Sequence, residues 1–151
     1  MSVWNSPSRF AVVLWVLLFL FCCRVIGQML VAFWGVSFLP PMEEWYSGLM
    51  PYHYLLPSQF LIILLYSKVC MDFSRGRGFF VRPHCGFGPG LLIFGSIYFL
   101  SMVVRYILRM SWYPEERWFG GTIPIIFHWV LASFILLVGR YHLWQSKQSQ
   151  D

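Results

Sequence analysis

Four long apolar runs, Phe10 to about Phe38, Leu55 to Met71, Leu91 to Met110 and Ile123 to Leu143, leave this chain few ways to fold. A helix rises 1.5 Å per residue, so each run can cross about 30 Å of hydrocarbon, although the second is short for the task and the first is long enough to tilt or protrude. Hydrophobic residues make up 58% of the 151 and charged residues 11%, a balance outside that of soluble domains. The expected fold is all-α: an integral membrane protein forming one antiparallel four-helix transmembrane bundle over residues 1–151. Its helices are expected at 10–38, 55–71, 91–110 and 123–143, with sequential spans as neighbours in up-down order. A basic loop, 72–90, is the largest soluble feature.

Local signals punctuate these spans. Pro40-Pro41 is expected to stop the first helix, Gly86 to Gly90 with Pro89 to break the chain before the third, and Thr122 with Pro124 to start the fourth. Phe10 to Cys23 has the length of a signal-peptide core, but bulky residues and a resumed apolar run follow it, so an uncleaved first helix is expected.

Orientation follows from the flanking charges. Arg9, Lys68, Arg75, Arg77, Arg82, Arg140 and Lys147 lie toward one side, whereas the first loop holds Glu43 and Glu44 and no Lys or Arg. Positive-inside bias then places both termini in the cytoplasm, and a bacterial inner membrane is the expected location. Arg75, Arg77 and Arg82, interleaved with aromatic residues, suit contact with anionic lipid headgroups. The formal charge of +5 is too dispersed for nucleic-acid binding. The aromatic loop Leu39 to Pro57 is expected to roof the opposite end, in part as a short amphipathic helix over Met42 to Met50, and the Trp118-Phe119-Gly120-Gly121 turn is expected to join it.

Arg24, Arg105 and Arg109 interrupt or close apolar runs. A cation within the hydrocarbon costs roughly 2.5–3.5 kcal/mol, so each requires a partner, a wet cavity or a purpose. Arg24 is fourteen residues past Phe10 and Arg105 fourteen past Leu91, about 21 Å up each helix. Gln59 and His128, descending from the other side, reach nearly the same level. Gln28 follows Arg24, and Arg109 follows Arg105, by one i+4 step, which puts each pair on one stripe. Arg24, Gln28, Gln59, Arg105, Arg109 and His128 are therefore the candidate ligand-binding residues, a polar layer suited to a carboxylate or phosphate. Glu43, Glu44, Glu115 and Glu116 are the candidate internal counter-charges that would instead make the layer structural scaffolding.

Chemistry has little else to work with. His128 and His142 are fourteen apart, a spacing that resembles paired haem ligands of the cytochrome b family, but the other three expected spans hold no histidine to complete bis-histidine ligation. His84-Cys85 lacks the further ligands of a zinc site, and Cys22, Cys23, Cys70 and Cys85 show no CxxC spacing. No metal, no cofactor and no catalytic residue is expected. Three functions remain: an accessory or assembly protein that meets a larger membrane-protein partner, a binder or transporter of an anionic lipid or small anion, and an enzyme on a lipid-linked substrate. The first is the leading expectation, and membrane lipids are partners in all three.

Overall fold

The computed structural model describes residues 7–45, 50–82, 84, 86–114 and 122–148. Among these the regular secondary structure is all helical: α1 Pro7–Trp34, α2 Met42–Trp45, α3 Tyr52–Arg75, α4 Phe87–Trp112 and α5 Ile123–Gln148. All but α2 are long and apolar enough to span a membrane. The chain is a membrane-integral four-helix bundle.

Helix ends follow backbone chemistry and shift the expected boundaries. α1 ends at Trp34, ahead of Pro40-Pro41, because Gly35 turns left-handed (φ +58°) and its N–H bonds the Val31 carbonyl at 3.1 Å. α3 extends at both ends, taking His53 into its first turn and Asp72 into its last. At its C-terminus, Gly76 (φ +61°) donates to Phe73 O and Arg77 donates to Asp72 O, closing the helix in a Schellman motif. The loop expected over 72–90 is thus reduced to the segment between Arg75 and Phe87. Pro89 falls in the first turn of α4, where a missing N–H costs nothing, and the Thr122 carbonyl accepts from Ile126 as α5 begins. α2 accounts for the start of the expected 42–50 helix; 46–49 and the 118–121 turn lie outside the described residues.

The core is built from helical stripes. Phe10, Leu14, Leu18, Phe21 and Val25 of α1 recur every three or four residues and pack against Tyr66, Val69, Cys70 and Phe73 of α3 and Leu131, Phe134, Val138 and Tyr141 of α5. Tyr141 ties the three helices at one end, its ring 5.3 Å from Phe10 and 4.7 Å from Phe73. Tyr66 stacks on Phe134 at 3.9 Å nearer the middle.

α4 joins differently. Its only buried residues among those described are Gly88 and Gly95, and both face α5. A Cβ on Gly88 would stand 2.8 Å from the Leu143 nitrogen, and one on Gly139 of α5 would stand 3.0 Å from the Leu92 nitrogen. Glycines let the two backbones close in, a packing mode suited to lipid, where no hydrophobic effect drives helices together. Lateral order is α3, α1, α5, α4. Sequential neighbours were expected throughout, yet no described Cα of α3 comes within 8 Å of α4. The bundle is open along that side: the glycine contacts hold α4 on α5, and bulky Tyr66, Phe80, Phe87 and Phe94 line the gap.

The end where Pro7, Gln148 and the 76–82 segment lie is the terminal end, and the opposite one is the α2 end. Arg75, Arg77 and Arg82 are exposed at the terminal end. Beneath them Asp72 is 3% exposed, paired with Lys68 and accepting from the Phe80 N–H at 3.3 Å. Gly78 (φ +135°) passes so close to the Asp72 carboxylate that no Cβ would fit.

Candidate functional site

Gly27 is where the site begins. It sits one turn past Arg24 on α1, and a Cβ there would stand 2.7 Å from Cη2 of Trp45. Without that Cβ, the Trp45 indole seats on α1 and its Nε1 donates to the Pro40 carbonyl at 2.8 Å. α2 is thereby pinned across α1 and α5. Docked so, Trp45 turns its own carbonyl to Arg24, whose Nη2 donates to it at 3.1 Å.

Arg24 is 8% exposed, and its guanidinium carbon stands 5.9 Å from the centre of the Phe127 ring. Its Nε is buried with no acceptor. Among the described residues no carboxylate pairs with it. The expected counter-charges do not serve: Glu43 is exposed, and Glu44, half-buried, leaves Oε2 unpartnered rather than reaching an arginine. Glu115 and Glu116 lie outside the described residues.

Arg24 lines a cavity of about 190 Å³ at the α2 end. Gln59 and Ser58 of α3, Tyr98 of α4, and Phe127 and His128 of α5 complete its polar and aromatic wall. Gln59 Nε2 donates to Gln28 Oε1 at 3.0 Å, both side chains being fully or nearly buried, while Gln59 Oε1 and Gln28 Nε2 remain unpartnered. His128 Nδ1 is hydrogen-bonded to the Tyr98 hydroxyl across the α4–α5 seam. Of the expected layer, Arg24, Gln59 and His128 meet at one cavity and Gln28 stands behind it.

Arg105 and Arg109 do not line that cavity. They share a stripe of α4, as the i+4 spacing predicts, but border a separate groove with Ser101, Leu108, Trp112 and Tyr113. Tyr98, seven residues before Arg105 and on nearly the same stripe of α4, lines the cavity instead. The stripe of Arg105 and Arg109 was visible in the sequence, whereas Tyr98 went unremarked and nothing signalled the Trp45 carbonyl except an isolated Gly27 inside a helix.

No group of three or more His, Cys, Asp or Glu side chains converges among the described residues. His142 is 2% exposed at the terminal end, its ring 5.0 Å from Phe87 and 6.4 Å from His84, far along α5 from His128.

Fold and cavity define a class: a small helical membrane protein with an arginine, paired with no carboxylate among the described residues, beside a partly polar cavity near one end of its bundle. Comparison with known proteins finds no matching family model, curated protein or solved structure.

Proposed function

We propose that the protein binds the anionic group of a membrane lipid or a small amphiphile at the Arg24 cavity. The observation that carries this reading is a buried guanidinium with no carboxylate among the described residues and an Nε left without an acceptor. Such a group is costly in hydrocarbon when empty and favourable when it meets a phosphate or carboxylate, which accepts from Nε and Nη together. Ser58 and Gln59 add polar atoms at the same wall. The scaffolding alternative drew on Glu43, Glu44, Glu115 and Glu116; neither Glu43 nor Glu44 pairs with Arg24, and Glu115 and Glu116 lie outside the described residues.

The protein belongs, in this reading, to a bacterial inner membrane with both termini cytoplasmic. Support comes from exposed Arg75, Arg77 and Arg82 at the terminal end and from a loop free of Lys and Arg at the α2 end. The cavity then faces the outer leaflet. Reporter fusions at the C-terminus read this orientation, and activity of an exported reporter there would overturn it.

The binding experiment is native mass spectrometry of gently solubilised protein, comparing wild type with Arg24→Gln and Arg105→Gln. A retained anionic lipid should vanish in Arg24→Gln and persist in Arg105→Gln, since Arg105 borders a different groove. Equal retention in wild type and Arg24→Gln would refute the site.

A further inference from the structure

We infer that the ligand of this site carries a single long hydrocarbon chain, which lies in the open cleft between α3 and α4. This rests on the anion reading of Arg24 and extends it from a headgroup to a whole amphiphile. Below the polar cavity is a second, apolar one of about 290 Å³, walled by Leu65 and Tyr66 of α3, Leu91 and Phe94 of α4, and Phe134 and Ile135 of α5. It is one helical turn from the first on every wall. Ile62 of the polar cavity leads to Leu65 and Tyr66, Tyr98 leads to Phe94, and Leu131 leads to Phe134 and Ile135.

The two cavities therefore stack along one cleft, polar toward the α2 end and apolar toward the terminal end. Cleft and bilayer meet, because α3 and α4 do not close against each other and both carry exposed apolar side chains such as Leu65 and Phe94 beside it. Only a hydrocarbon chain is abundant at that depth, and only a chain joined to an anion satisfies both ends. Eleven residues of α5 separate Phe127, beside Arg24, from Val138 at the far wall, a rise of about 16 Å. That is close to the hydrocarbon depth of one leaflet, half of about 30 Å. The two volumes together fall within the range of about 300–1,000 Å³ for ligand pockets.

The chemistry shared by the acceptable ligands is a terminal phosphate or carboxylate on one unbranched or prenyl chain. Tetradecyl phosphate, myristate, hexyl phosphate and inorganic phosphate are the probes, titrated into the full chain in neutral detergent and read by native mass spectrometry. The variants are Arg24→Gln and Leu65→Trp, the latter narrowing the cleft from an exposed, lipid-tolerated position; Leu91→Trp narrows it from the opposite wall should the first variant fold poorly. Tetradecyl phosphate should bind wild type at least tenfold more tightly than hexyl phosphate and weaken at least tenfold in each variant. Myristate binding as tightly would assign a carboxylate, and weaker binding a phosphate, either being consistent with the chain in the cleft.

Equal affinity for all phosphates, lost in Arg24→Gln and untouched by cleft narrowing, would overturn the chain inference while leaving the anion site standing. Chain-dependent binding that is indifferent to Arg24→Gln would overturn the anion reading and, with it, the proposed amphiphile. Binding of none of the probes would overturn both.

Discussion

Replacing Arg24 with Met separates a ligand group from scaffolding. Among the described residues the guanidinium makes one hydrogen bond, to the Trp45 carbonyl at 3.1 Å, and one cation–π contact, to Phe127 at 5.9 Å. Terms of these kinds contribute about 1.5–3 and about 0.5–2 kcal/mol. Against them stands about 2.5–3.5 kcal/mol for keeping a cation at depth in hydrocarbon. The opposing terms nearly cancel, and Met restores most of the apolar stem, so Arg24→Met should shift ligand-free stability by no more than about 1–2 kcal/mol in either direction. Loss of one partner from a buried ion pair would instead cost about 3–5 kcal/mol. Reversible urea unfolding in neutral micelles measures the difference, with and without tetradecyl phosphate. At a free concentration one hundredfold above Kd, ligand should add about 2.7 kcal/mol to wild type and nothing to the variant. A ligand-free loss of about 3 kcal/mol or more, with no ligand effect on either protein, would refute the reasoning and return Arg24 to the role of a paired structural charge.

Gln59→Leu should cost about 1–3 kcal/mol by leaving the Gln28 amide without its partner, while Gln28→Met with Gln59→Leu should return close to wild type; losses that simply add would show the two amides to be uncoupled in a double-mutant cycle. Gly88→Ala should lower stability by about 1–3 kcal/mol because its Cβ would meet the Leu143 backbone at 2.8 Å, whereas Gly90→Ala, with nothing within 4 Å, should be neutral or slightly stabilising in the same thermal melts. Gly78→Ala should cost about 2 kcal/mol or more, since its left-handed backbone and the Asp72 carboxylate both oppose a side chain. Part of that loss should be recovered in Gly78→Ala with Asp72→Ala, with limited proteolysis of the 76–82 segment reporting the loosening.

The legible and illegible parts of the site differ by what must be known to find them. Arg24, Gln59 and His128 could be placed at one height because a helix converts residue count into distance at about 1.5 Å per step. Gln28 could be put on the Arg24 stripe by its i+4 spacing, and it indeed turns to Gln59. Arg105 was at a comparable height too, but height does not say which neighbour a stripe faces, and here it faces a groove of its own. The glutamates illustrate the same gap, since their distance in sequence from Arg24 carries no information about a four-residue helix pinned by Trp45.

From the sequence alone came the helical class, four membrane-spanning segments, and the presence of polar groups at a level where hydrocarbon penalises them. Length, apolarity and charge are local properties, and each acts before any two helices meet. Tertiary structure decided the lateral order α3, α1, α5, α4, the open α3–α4 side, and the choice of Trp45 rather than Glu43 or Glu44 as a partner of Arg24. Hydropathy could not reach these, because in lipid a packed face and a lipid-facing one are equally apolar. The distinction rests on shape, as where Gly88, Gly95 and Gly139 admit a neighbouring helix and Ile93, Ile97 and Leu100 do not.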